Sequence, residues 1–407
     1  MEKFTIIIPT RERADTLYYA LKTCVTQEYD NLEILVSDNL SVDNTHDIVN
    51  SFQDSRIKYF NTGQRLSMSH NWEFALEKVS EGYVSFLGDD DGFLPNSIAE
   101  LSQILTGNPL KAINWRSDQY LWPSYSRINR VNLLKISLND ELTVLNGKDE
   151  LLKLINCQNG YERVPWLYKG FVHIGAISRV KRISGNFFHS MIPDVYSGIA
   201  LANVIDNYFY SFKPYTLDGI SGHSNGGTYA IDSSQKAASN MFLSERNIPL
   251  HKGFLYSQSA YLLTAECVFK AISCNVINSS IDIDINKFFD ASLKEVERES
   301  STRYNNVVEA IYFTASYFNK PRRSVEKLIR KYPNKPICDK YNVNIEGFNK
   351  FKNRIEIDAS KLSVHNIYDA TLLHEKIRNN PSKYLQATAV LKSTFQFIIR
   401  EIRKRYL

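Results

Sequence analysis

The stretch YVSFLGDDDGFLP, Tyr83 to Pro95, sets a short apolar run against three consecutive carboxylates. Tyr83 to Leu87 has the length and the aromatic and branched content of a buried strand. Gly88 ends it, so Asp89, Asp90 and Asp91 fall at the strand's carboxyl end, before a helix starting near Pro95. Three adjacent anions repel one another, and the arrangement makes sense where a divalent cation neutralises them; hard oxygen ligands suit Mg²⁺ or Mn²⁺. The competing reading is a solvated acidic turn, because Asp and Gly are ordinary turn residues.

The segments before it alternate in the same way. Phe4 to Ile8 and Leu32 to Ser37 read as strands, with Ile57 to Phe60 as a third. Between them Arg13 to Gln27 reads as a helix, with Ala14, Leu17, Ala20, Leu21 and Cys24 recurring at three and four. Thr45 to Phe52 and Ser69 to Val79 read as further helices. This is the pattern of βαβ units, an α/β fold with a Rossmann-like, mostly parallel sheet. Ligands of such sheets gather at the carboxyl ends of the strands, so Asp38 and the Asp triplet are expected to face one crevice. Pro9, Thr10, Arg11 and Arg13 close the first strand, where backbone N–H groups and a cation can hold a nucleotide. Asp38 closes the second, where a carboxylate can accept from a ribose hydroxyl or a base N–H; an Asx turn is its other reading. Asn71 stands in the first turn of the helix near Ser69, facing the same end.

At 407 residues the chain exceeds one ordinary core. Residues 1–238 are expected to form the catalytic domain. Residues 239–407 are expected to form a mainly α-helical C-terminal domain, from the helical patterns at 257–272, 307–318, 324–331 and 384–405. The net charge of +5, from 49 basic and 44 acidic residues, is too small to argue for a nucleic-acid groove. Five scattered cysteines with no paired spacing argue against a disulfide framework and for a reducing cytoplasm. No apolar run approaches the roughly 18 to 20 residues of a spanning helix. Leu391, Phe395, Ile398, Ile399, Ile402 and Tyr406 form one helical stripe beside Lys392, Arg400, Arg403, Lys404 and Arg405. Such a helix can lie on the inner face of an anionic membrane, or pack against the domain or a second subunit of a homo-oligomer.

Four ordered motifs, IIIPTRER from Ile6, EILVSDNLSVDNT from Glu33, MSHNWEFAL from Met68 and FLGDDD from Phe86, resemble the inverting family 2 glycosyltransferases with the GT-A fold. The resemblance covers about Phe4 to Asn96. It implies a nucleotide pocket lined by Pro9, Thr10 and Arg13, with Asp38 on the base, usually uracil in a UDP-sugar. It also implies a D-x-D pair, Asp89 and Asp91, in which Asp91 is the metal ligand and Asp89 lies nearer the ribose or sugar, with Asp90 between. Arg11 or Glu12 stands where the family often has Asn.

Inverting transfer needs a general base for the acceptor hydroxyl. In the family it is an Asp or Glu about a hundred residues past the D-x-D, at the opening of a helix. Asp194 lies at that distance, before the helical run Ile199 to Ile205, with capping of that helix as its alternative role and Asp206 as a second choice. His223, in a Gly-rich loop, is the candidate to complete the metal shell or meet the diphosphate. The expected partners are a nucleotide-sugar donor and a glycan or lipid-linked glycan acceptor, in a bacterial surface-polysaccharide pathway. A sugar-phosphate nucleotidyltransferase, which would need a Gly-rich loop after the first strand, and a non-catalytic binding protein of the same fold are the alternatives.

Overall fold

The computed structural model describes residues 1–125, 131–222, 248–336, 347–349 and 353–381. Four strands, β1 (Phe4–Thr10), β2 (Leu32–Asp38), β3 (Ile57–Asn61) and β4 (Tyr83–Phe86), form the parallel block β3-β2-β1-β4. Its side chains alternate between two buried clusters. Phe4, Ile6 and Ile8 of β1 pack on Leu17, Leu21 and Cys24 of helix α1 (Ala14–Val25), while Ile7 faces Trp72, Ala75 and Leu76 of α3 (Met68–Leu76). A strand buried on both faces reads as an unbroken apolar run, which is why the period-two signal is missing from Phe4–Ile8. The mixed, mostly parallel α/β sheet is the fold class expected from the sequence.

Beyond β4 the sheet continues as β10 (Gly170–His173), antiparallel to its neighbours, then β6 (Ala112–Trp115), β11 (Asn207–Ser211) and β9 (Leu142–Asn146). The apolar content of Phe171 to Ile177 reads as one strand. The structure ends it at His173, whose ring accepts from the Gly175 amide and caps helix α6 (Ile174–Ser184). His173 is thus a helix cap.

A second sheet starts right after the acidic turn. Its strand order is β13-β14-β8-β7-β12-β5, made of β5 (Gly92–Phe93), β7 (Asp118–Leu121), β8 (Leu133–Ser137), β12 (Thr216–Ile220), β13 (Gly347–Asn349) and β14 (Arg354–Asp358). Helices dominate after residue 248: α8 (Ala260–Ser273), α9 (Ile285–Val296), α10 (Ser301–Tyr317) and α11 (Arg322–Lys331) share an apolar core. The chain then returns to the N-terminal half through β13, β14 and α12 (Ile367–Asn379), which packs against α1, β5 and β8. The sequence pattern did not show these two strands, because each is short and β8, through which β14 joins both to the sheet, lies more than 200 residues earlier in the chain. The expected boundary at 238 and the basic helix at 391–406 lie outside the described residues.

Two buried polar links hold the returning segment. Asn132, in a left-handed conformation at φ 54°, accepts from the Tyr120 hydroxyl at 2.6 Å and donates to the Val364 carbonyl at 2.6 Å. His374 Nε2 lies 2.8 Å from Asp118 Oδ2, which also accepts from the Ser137 amide at 2.7 Å. Asp118 and His374 are both buried, so removing the imidazole strands a carboxylate away from water. His374→Ala is expected to lower the unfolding free energy by about 1–3 kcal/mol, read by urea titration of the purified chain.

Candidate active site

The carboxyl ends of β1, β2 and β3 lie level, with Thr10 paired to Asp38 and Asp38 to Asn61. The acidic turn follows β4 at that edge. All three carboxylates are nearly inaccessible, at 3%, 5% and 4% exposure for Asp89, Asp90 and Asp91, so the turn is not a solvated one. Buried carboxylates need donors, and the fold supplies them from three directions.

Asp89 turns to the end of β1. Its Oδ2 accepts from the Thr10 hydroxyl at 2.8 Å and its Oδ1 from Arg13 Nη1 at 2.9 Å. Burial pushes the Asp89 carboxyl up while Arg13 draws it down; burial also opposes the charge on Arg13, and Asp89 and Asp90 outweigh it, leaving a firmly held guanidinium. Asp90 turns to the second sheet, accepting from the Ser221 hydroxyl at 2.7 Å, while its carbonyl accepts from Trp122 Nε1 at 3.0 Å. Asp91 accepts from the Gly219 amide at 2.7 Å, from the Gly88 amide at 3.2 Å and from the Tyr168 hydroxyl. Burial, and then the charges of Asp90 and Asp218, hold the Asp91 carboxyl well above its ordinary range, against Lys169. Tyr168 is raised likewise, first by burial and then by Asp91.

Lys169 is the local counter-charge. It sits next to Tyr168 in the chain with φ 65°, ion-pairs with Asp218 Oδ2 at 2.6 Å, and lies 5.4 Å from the ring centres of both Trp166 and Tyr168. Burial disfavours its charge, and Asp218 more than restores it. Lys169 also acts electrostatically on Asp194, linking the candidate base to the acidic turn. Asp194 lies in the first turn of α7 (Pro193–Val204), where the N-cap is Ile192, and its carboxylate also accepts from the backbone of Asp194 and Val195, so it serves the start of that helix as well. Burial raises its carboxyl. The approach to α7 is fixed by Ser190, whose hydroxyl donates to buried Glu266 of α8 at 2.7 Å and whose carbonyl accepts from Ser69 at 2.6 Å.

Other expected site residues have protein partners. Asp38 accepts from the Ser41 amide at 2.9 Å, the Tyr59 hydroxyl at 2.5 Å and Asn61 at 3.1 Å. Asn71 is buried against β2, accepting from the Ser37 hydroxyl at 2.6 Å, which makes it a strut between α3 and the sheet. Pro9 and Arg11 are half-buried beside Thr10. His223 lies outside the described residues. Trp115, Tyr120, Trp122, Tyr125 and Trp166 are buried, and Tyr161 and Tyr168 are only half-buried, so most of this aromatic group fills the core. Tyr168, Lys169, Asp218, Gly219 and Ser221 were missed by sequence reading, since no local motif marks them.

The three triplet carboxylates do not converge. Asp89 and Asp91 each accept on both oxygens, and among the described residues no group of three His, Cys, Asp or Glu side chains is arranged to hold a metal ion. Asp218 Oδ1 is buried with no hydrogen-bond partner, beside an Asp91 that its charge disfavours. Hard oxygens with excess negative charge fit Mg²⁺ or Mn²⁺, which bind through one or two carboxylates and complete their shell with water or phosphate oxygens. Asp91 and Asp218 are the side chains that would hold it.

Residues 5–151 match the family description Glycosyl transferase family 2. Among its relatives is a Campylobacter jejuni protein named GalNAc(5)-diNAcBac-PP-undecaprenol beta-1,3-glucosyltransferase. It is 38% identical over 106 residues, covering 25% of this chain and 34% of that one. The Escherichia coli UDP-Glc:alpha-D-GlcNAc-diphosphoundecaprenol beta-1,3-glucosyltransferase WfaP is 32% identical over 99 residues, covering 24% and 39%. The chain thus spans little more than a third of the length of these relatives. Among solved structures, S. aureus TarS 1–349 in complex with UDP-GlcNAc aligns with a TM-score of 0.43 at 13% identity, covering 81% of this chain and 92% of that one.

The approach of β12 to the acidic turn depends on Gly219. A Cβ there would stand 1.6 Å from the Asp90 carbonyl oxygen and 2.7 Å from Trp122 Nε1. Gly219→Ala is expected to force β12 away from the turn at a cost of about 1–3 kcal/mol, measured as a lowered thermal midpoint together with weakened nucleotide binding.

Proposed function

We propose that this chain transfers a sugar from a nucleotide-sugar donor, a UDP-sugar, to a hydroxyl of a lipid-linked glycan, with inversion at the anomeric carbon. The observation that carries this reading is the buried acidic turn at the carboxyl edge of the sheet, where Gly219 and Tyr168 bind Asp91 and Lys169 ion-pairs with Asp218 at 2.6 Å. The family 2 match supports glycosyl transfer, the printed name of WfaP supports a UDP-sugar, and the printed names of both relatives support an undecaprenyl diphosphate acceptor.

The acceptor hydroxyl gives its proton to the Asp194 carboxylate, and its oxygen attacks the anomeric carbon from the face opposite the nucleoside diphosphate. The new carbon–oxygen bond forms as the bond to the β-phosphate oxygen breaks, and both bonding electrons leave with the diphosphate. A divalent cation held by Asp91 and Asp218 supplies charge stabilisation to that diphosphate when bound. Thr10 and Arg13, oriented by Asp89, form the rim that meets the nucleotide. Burial suits Asp194 to its task, because a carboxyl raised above its ordinary range is a stronger base once ionised.

Calorimetric titration with UDP and GDP, with Mn²⁺ and then EDTA, tests the donor site: UDP binding is expected to need the metal and to be lost in Asp91→Asn. Turnover of UDP-sugars tests the base. Asp194→Asn is expected to lower kcat by about 10²–10⁴-fold with UDP affinity unchanged. Its thermal midpoint at neutral pH should not fall, since the change removes a charge that burial opposes. The acid limb of kcat/KM in the parent chain should lie above the ordinary carboxylate range, because activity needs Asp194 ionised and its carboxyl is raised. Wild-type turnover in Asp194→Asn would remove it as the base.

A further inference from the structure

Helix α11 carries opposite chemistry on its two sides. Val325 is buried, and Leu328 and Ile329 are half-buried, against the core shared by α8, α9 and α10. Arg323, Lys327 and Arg330, spaced four and three apart, form one exposed stripe on the far side. Among the described residues none of these three has an ion-pair partner, whereas their neighbours do: Arg322 pairs with Glu326 at 3.1 Å and Lys331 with Asp290 at 2.7 Å. From Lys320 to Lys335 the chain carries Lys320, Arg322, Arg323, Lys327, Arg330, Lys331 and Lys335 against Glu326 alone. Like charges at these helical spacings repel and weaken the helix. Arg330 is favoured by its place in the last turn of the helix, but no ion pair among the described residues accounts for Arg323 and Lys327, which suits the stripe to something anionic that it meets.

We propose that this face of α11 docks on anionic lipid headgroups and seats the enzyme on a membrane surface. The choice of a lipid surface over another polyanion rests on the lipid-linked acceptor proposed above. The apolar side of α11 is already buried in protein, so the helix does not insert; it binds through charge, with its ammonium and guanidinium groups at phosphate level. Among the described residues no helix is long and apolar enough to cross a membrane. Attraction of this kind fades over about 10 Å at 0.1 M salt.

The test is co-sedimentation of the full chain with vesicles of mixed phosphatidylglycerol and phosphatidylcholine, and with vesicles of phosphatidylcholine alone. Binding is expected only to the anionic vesicles and should be lost as salt is raised. Each neutralised charge is expected to weaken partition roughly fivefold, so the triple variant Arg323→Gln, Lys327→Gln, Arg330→Gln should lose about a hundredfold. Its thermal midpoint and UDP binding should stay as in the parent. Three results overturn the proposal: equal binding of parent and triple variant, which would move the contact elsewhere, including the basic segment at 391–406; equal binding to both vesicle types; or retention on a phosphate polymer or oligonucleotide with no vesicle binding. Vesicle binding is read without donor or acceptor, so a failure of UDP binding in the parent chain counts against the proposed reaction and leaves this result separately legible.

Discussion

Three consecutive carboxylates, each at most 5% exposed, cannot be left without donors, and satisfying them organises the N-terminal half of the molecule. Asp89 draws Thr10 and Arg13 from the end of β1; Asp90 draws Ser221 and Trp122; Asp91 draws Gly219 and Tyr168. The turn is also where one sheet gives way to the other, because Gly92 and Phe93 pair with β12 immediately after it. The acidic turn is therefore a structural joint as well as a candidate site, and its donors arrive only when both sheets are assembled.

That dependence gives the returning C-terminal segment a role in the site. Strand β12 is held by β7, which is paired to β8, which is paired to β14. Asp118 on β7 meets His374 on α12, and Asn132 ties β8's approach to the Val364 carbonyl. A disturbance more than 250 residues past the acidic turn thus reaches it through a short series of hydrogen-bonded strands. The positive charge that balances the cluster, Lys169, comes from yet another element, the left-handed residue before β10, and is itself stabilised by Asp218.

The parallel block was legible because its signals are local. Phe4–Ile8, Leu32–Ser37 and Tyr83–Leu87 are apolar runs of strand length, and the apolar spacing after Arg13 sets one face of α1. The level strand ends then place Thr10, Asp38 and the triplet at one edge by sheet geometry alone. His173 shows where such reading stops: an apolar run from Phe171 to Ile177 has no periodicity that separates a strand from a helix start, and the capping bond to Gly175 settled it. Asn71 shows the same limit for function, since its helix-start position suits a ligand equally well, yet burial against Ser37 makes it a strut.

By itself the sequence determined the α/β class, the order of the first four strands and the identity of the acidic turn, because these depend on side-chain period and turn chemistry within about a dozen residues. Tertiary structure alone decided that the triplet is buried and that its three carboxylates face different partners, Thr10 and Arg13, Ser221, and Tyr168 and Gly219. Those contacts bridge 76 to 131 residues of chain. They arise from how two sheets pack against each other, and no spacing within either segment encodes that distance.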